Sequence, residues 1–249
     1  MEESIVKTQR ILSFFLAAMM IATTLIAGTT VAAKLPFNDT DGHWGEAAIE
    51  YVVENGLMNG VGNGESFAPN MSLTRGMVVT VLYRNNGSPT VNFYGHFLDV
   101  DEKAYYGPAA EWAYENEIVN GTGTNDWGEP YFSPDRDITR QELATMFARY
   151  AAFKHVDTKA NTADISSYPD SGKVASWAAD AVKWAVGVGL ITGKTNGGAA
   201  TLSPEDKAVR AEFATIFSVT TLRLLHLHMS SLMRLPLSKT PTPLPSIPS

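Results

Sequence analysis

The stretch FSPDRDITRQELATMF, residues 132–147, decides the fold. A Pro-Asp loop gives way to Thr139-Arg140-Gln141-Glu142 and then to apolar residues at helical spacing. Thr139 can cap a first turn while Glu142, three residues on, reaches back to the cap's own amide, so a capping box predicts a helix beginning at Arg140. The box explains Thr139 and Glu142 but gives Arg140 no local role, and that arginine recurs. FAPNMSLTRGM (67–77) and LSPEDKAVRAE (202–212) place Arg75 and Arg210 six residues after Pro69 and Pro204, the same spacing as Arg140 from Pro134.

Upstream of each lies a second shared block: WGEAAIEYVVENGLMNG (44–60), YYGPAAEWAYENEIVNG (105–121) and WAADAVKWAVGVGLITG (177–193). Trp44, Tyr105 and Trp177 stand 16 positions before Gly60, Gly121 and Gly193, and a second aromatic follows seven positions later at Tyr51, Trp112 and Trp184. Aromatic-x-Asp elements ending at Asp39, Asp99 and Asp170 precede the blocks. Self-similarity of this kind is the mark of a repeat protein. The units run from 37 to 84, 97 to 150 and 168 to 221, joined by polar linkers.

Each unit reads as helix, turn, loop, helix. Ala48, Tyr51 and Val52 form the stripe of a first helix, ended by a left-handed Gly or Asn-Gly. Val78 with Leu82, Leu143 with Met146 and Phe147, and Phe213 with Ile216 and Phe217 form the stripes of the second helices. A two-helix unit cannot bury its own stripe, whereas three together can. The expected fold is therefore mostly all-α, a compact bundle with pseudo-three-fold symmetry, with Trp44, Tyr105 and Trp177 near its core.

Composition bounds the function. The chain has 249 residues, 45% hydrophobic and 18% charged, which suits one or two globular domains. A net charge of -7 argues against a nucleic-acid partner, since phosphate backbones are held by clustered Lys and Arg. With no cysteine, disulfides and thiolate chemistry are excluded. Residues 1–33 read as a signal peptide: Lys7 and Arg10, an apolar run from Ile11 to Ile26, then Val31-Ala32-Ala33, with Glu2 and Glu3 atypical. That 16-residue run is shorter than the ~20 residues of a spanning helix, so no stable membrane span is expected in the mature chain. Residues 222–249 form a basic, proline-rich tail.

The order aromatic-x-Asp, Trp, a G(L/I)(M/V/I)xG-like turn, Phe-x-Pro and TRxE resembles the S-layer homology domain, found in three tandem copies on proteins of the bacterial cell surface. The resemblance implies a three-pronged pseudo-trimer, secretion to the cell wall or S-layer, and non-covalent binding of a secondary cell-wall polysaccharide linked to peptidoglycan, often one bearing pyruvate ketals. It further implies ligand grooves between copies, with the TRxE arginines contributing.

The residues give that implication a chemical reason. An arginine at the first helical position lies beside backbone amides without intrahelical partners, at the positive end of the dipole. A carboxylate placed there would meet oriented N–H groups and a bidentate guanidinium. The candidate ligand-binding residues are thus Arg75, Arg140 and Arg210, with Trp44, Tyr105 and Trp177 to stack on the sugar and Asp39, Asp99, Asp170, Gly60, Gly121 and Gly193 to bond its hydroxyls. Only the second unit keeps the whole motif. Thr74-Arg75-Gly76-Met77 lacks the acid and Val209 cannot cap, so Arg140 is expected to anchor the best-formed site.

Other patterns carry less. FNDTDGHW (37–44) has the look of a calcium loop without enough oxygen ligands, and GVGNG (60–64) lacks the Lys-Ser/Thr of a phosphate loop. No cofactor, metal or catalytic residue is indicated. G-x-S-x-G and H-E-x-x-H are absent, and His43, His96, His155, His226 and His228 are scattered. A surface glycan hydrolase with carboxylates meeting in space, or a calcium-dependent scaffolding module, remain the rival readings.

Overall fold

The computed structural model describes residues 35–195 and 198–218. The signal peptide and the proline-rich tail read from the sequence lie outside the described residues. The rest of the chain builds helices α1 (Glu46–Glu54), α2 (Arg75–Asn85), α3 (Gly107–Glu115), α4 (Arg140–Phe153) and α5 (Ala179–Gly187), and residues 210–218 form α6. Between α3 and α4 a small antiparallel hairpin pairs β1 (Gly123–Thr124) with β2 (Pro130–Tyr131), in the register Gly123 with Tyr131. Single bridges, Val61 with Ser66 and Lys194 with Thr201, mark the same hairpin in the other two units. The architecture is the mostly helical one expected.

The second helix of each unit begins at its arginine. Thr139 accepts from the Glu142 amide while Glu142 Oε2 accepts from the Thr139 amide at 3.0 Å, so the capping box is formed. Thr74 caps α2 through the Met77 amide at 3.3 Å. Left-handed residues end the first helices at Gly56 and Gly189, but in the second unit that place falls to Glu117, with φ of 59°.

The expected stripes of α2, α4 and α6 are buried, and Phe147, Phe213 and Phe217 pack together with ring centroids 5.7–6.2 Å apart. The stripe of α1 is displaced by one position, since Ile49 and Val52 are its fully buried residues. The large aromatics Trp44, Tyr105 and Trp177 are not in the core: they are 64, 58 and 59% exposed. Standing ahead of the first helices, they lie off the buried faces. Trp112 and Trp184, one helix face further on, fill the interior instead.

Helices pair across units. α2 packs on α3 and α4 on α5, so each pair joins the second helix of one unit to the first of the next. The start of α6 lies against the entry to α1, because a Cβ at Gly45 would meet the Ala211 Cβ at 3.4 Å. A closed cycle of amides sits at the centre. Leu73 donates to the Ala208 carbonyl at 2.8 Å, Ala208 to Ile138 at 3.0 Å and Ile138 to Leu73 at 2.9 Å, and all three residues are fully buried.

Candidate functional site

The repeated motifs interlock. Each aromatic-x-Asp carboxylate accepts from two consecutive loop amides: Asp39 from Phe67 and Ala68, Asp99 from Phe132 and Ser133, and Asp170 from Leu202 and Ser203, at 2.7–2.9 Å. The second residue of each pair is left-handed without being glycine, with φ of 54, 57 and 49° at Ala68, Ser133 and Ser203. Such a conformation is strained in an ordinary residue. The carboxylate offsets that strain by gathering both amides.

The carbonyl of the first residue of each pair then accepts from an arginine of the preceding unit. Arg75 Nε donates to Phe132 at 2.9 Å, Arg140 Nε to Leu202 at 3.0 Å and Arg210 Nε to Phe67 at 2.7 Å. Arg140 and Arg210 also donate through Nη2 to the carbonyls of Thr192 and Asn59. The three side chains are buried, at 4–5% exposure. Burial lowers the pKa of Arg75 and of Arg210 to about 10, leaving both cationic at neutral pH.

The helix beginnings are therefore not open to an anion. Arg75 and Gly76 donate their amides to the carbonyls of Arg136 and Pro134, Arg140 and Gln141 to Asp206 and Pro204, and Arg210 and Ala211 to Met71 and Pro69. The amides that the sequence left free are engaged by the next unit's loop, since the ring closes over them.

Among the described residues, two grooves of one plan stay accessible at the ring. The larger, about 330 Å³, is lined by Arg75 from the first unit, residues 118–122, Arg136, Glu142, Thr145, Met146 and Arg149 from the second, and Trp177 from the third. The smaller, about 190 Å³, repeats the plan one unit on, with Arg140, residues 189–194, Glu212, Thr215, Ile216 and Trp44. The corresponding third set holds Arg210, which bonds the Asn59 carbonyl and feels the charge of Asp39.

Each groove thus joins the arginine of one motif to the acid of the next. Arg75 Nη1 lies 3.7 Å from Glu142 Oε1 and Arg140 Nη1 3.4 Å from Glu212 Oε2. At the equivalent place before Arg210 stands Met77. The complete capping box at Thr139 consequently contributes its acid to the Arg75 groove, not to that of Arg140. Burial raises the Glu142 pKa, but the Arg136 hydrogen bond, the Thr139 amide and the charges of Arg136 and Arg75 outweigh it, so the carboxyl is held below its ordinary value.

Charge distinguishes the grooves. In the larger one, Arg75, Arg136 and Arg149 face the single carboxylate of Glu142. In the smaller, Arg140 and Lys194 face the single carboxylate of Glu212, which Lys194 bonds at 3.0 Å, so that one cation fewer is left uncompensated. Gly121 and Gly193 line the grooves, and with Gly60 they admit no side chain. A Cβ would fall 2.7, 3.3 and 2.9 Å from the rings of Phe37, Phe97 and Tyr168 at positions 60, 121 and 193. The aspartates do not line either groove.

Sequence reasoning missed Arg136, Arg149 and Lys194. Arg149 had a signal, because Arg84 also stands nine residues after its motif arginine. Among the described residues no group of three or more His, Asp or Glu side chains is placed to hold a metal ion. No described helix is long and apolar enough to cross a membrane.

Comparison with known proteins accords with this geometry. The family model described as S-layer homology domain matches residues 36–76, 96–144 and 167–214. An amylopullulanase of Thermoanaerobacterium thermosulfurigenes is 27% identical over 72% of this chain, and a surface-layer 125 kDa protein of Lysinibacillus sphaericus is 27% identical over 82%. An S-layer protein of Bacillus thuringiensis subsp. finitimus is 24% identical over 85%. The chain spans only 9, 16 and 24% of the lengths of these relatives. With the family model matched over more than half its length, the chain belongs to the S-layer homology domain family, as a secreted, cell-wall-associated protein with three tandem repeats of that domain.

Proposed function

We propose that this chain anchors a surface protein non-covalently to the cell wall by holding an acidic secondary wall polysaccharide, linked to peptidoglycan, in the grooves between repeats. One observation carries the reading. The exposed indole of Trp177 borders a groove whose cations, Arg75, Arg136 and Arg149, outnumber its carboxylate. A sugar face stacks on an aromatic ring, and a carboxylate on that sugar, such as a pyruvate ketal, takes the uncompensated positive charge. The Arg75 groove, larger and more cationic, is the principal site, and the Arg140 groove is a weaker one.

The relatives support attachment as the shared task. An amylopullulanase and two surface-layer proteins resemble the chain over its repeats, which suits a module that fixes different bodies to one surface. The groove chemistry disfavours hydrolysis. A general acid needs a raised pKa, whereas Glu142 is depressed and paired with Arg136 and Arg75.

The test is co-sedimentation of the protein with purified wall in three forms: intact, stripped of its accessory polysaccharide, and carrying that polysaccharide after removal of ketal-linked pyruvate. Pelleting is expected only with the first. Equal pelleting with all three would overturn the reading.

A further inference from the structure

A second cleft opens beside the Arg75 groove. It measures about 570 Å³ and lies between α4, α5 and the linker that carries Thr158, Lys159 and Thr162. Thr145, Arg149 and Trp177 line both spaces, so the cleft and the groove share a wall. Arg149 stands half-buried on that wall with no hydrogen bond or ion pair among the described residues. Burial lowers its pKa with no acid to oppose the effect. A guanidinium that has lost water without gaining a partner is costly to the fold alone.

Lys159 and Lys183 face the same cleft from the linker and from α5, against one lining carboxylate, Asp180. Asp164 also feels the charge of Lys183 but is fully exposed. On a chain of net charge -7, this is a local concentration of positive charge at the end of a groove already suited to an acidic sugar.

Resting on the anchoring reading above, we infer that this cleft is a second subsite of the same surface. It receives the neighbouring sugar of an acidic polysaccharide, with Trp177 at the boundary between sugars and Arg149, Lys159 and Lys183 on the second anionic substituent. The chain then reads a polymer segment and not one terminal sugar. Charge matching at a partly exposed cleft also makes the added affinity dependent on salt.

The probes are single-sugar and oligosaccharide fractions of polysaccharide released from purified wall, titrated calorimetrically into wild type and into Lys159→Gln/Lys183→Gln. Both lysines lie on the surface of the fold, and a thermal melt verifies that the variant is folded. Wild type is expected to bind the oligosaccharide more tightly than the single sugar. The variant should lose about tenfold in oligosaccharide affinity, roughly 1.4 kcal/mol, keep its single-sugar affinity and show a weaker salt dependence. Lys159→Arg/Lys183→Arg should restore oligosaccharide binding. A variant matching wild type on both fractions would overturn the second subsite while leaving anchoring intact. Failure of wild type to bind either fraction would overturn the anchoring reading and the subsite together.

Discussion

Arg75 carries a charge inside the protein because its surroundings divide it. The Phe132 carbonyl takes Nε, the Phe132 ring lies 5.0 Å from the guanidinium carbon, and Glu142 supplies a countercharge. Removing one member of such a buried set leaves the others unmatched. Arg75→Ala should cost about 3 kcal/mol in urea denaturation, and Arg75→Lys should recover little, since an ammonium lacks the planar fork. Glu117 is the opposite case. An exposed residue held at φ of 59°, it should gain about 0.5–1 kcal/mol on replacement by glycine, read from the same curves. The register of the arginines was legible in the sequence, but their task was not. The carbonyl that Arg75 serves is 57 residues away, and no local pattern names it. The exposure of Trp44 and Trp177 was hidden for a related reason: a large aromatic reads as core until its place ahead of the helix is known.

At the scale of elements, each helix beginning is shared between units. Glu142 closes the box on its own Thr139 and also faces Arg75. Because its folded pKa is depressed, the stability it gives is complete above its ordinary value of 4.5 and is lost as pH falls through the lower folded value. Asp39, likewise held low despite burial by its bonds to Ser66, Phe67 and Ala68, acts in the same direction. Melting temperature should therefore fall on acidification below about pH 4.5, and Glu142→Gln should flatten that fall. α2 lacks the acid. Met77→Glu completes a box with Thr74 and gives Arg210 a countercharge, and should stabilise by about 0.5–1 kcal/mol in chemical denaturation. Gly76, a poor helix former, has a steric cause: a Cβ there would sit 3.0 Å from the Tyr106 ring and 3.1 Å from the Pro134 carbonyl. Helix starts were legible because capping chemistry is local. The pairing of α2 with α3 was not, because an apolar stripe does not name its partner.

For the whole molecule, the cycle through Leu73, Ala208 and Ile138 and the ring of arginine bonds make the three units one cooperative body. A chain ending at residue 160 loses the loops that satisfy Arg140 and Leu73 and should show no cooperative melt, whereas the full chain should melt in one transition. The grooves follow from the same closure, since each takes an arginine, a glycine turn and an aromatic from three different units. On the proposed reading, binding to the wall is therefore a property of the assembled ring. The most direct measurement is the affinity of Trp177→Ala for the purified accessory polysaccharide, beside Trp127→Ala, whose indole is 84% exposed but lines neither groove. The expected result is a loss of at least tenfold, about 1.4 kcal/mol, for Trp177→Ala with an unchanged melt, and wild-type affinity for Trp127→Ala. Equal affinity in both variants and wild type would contradict the groove as the place where the wall is held.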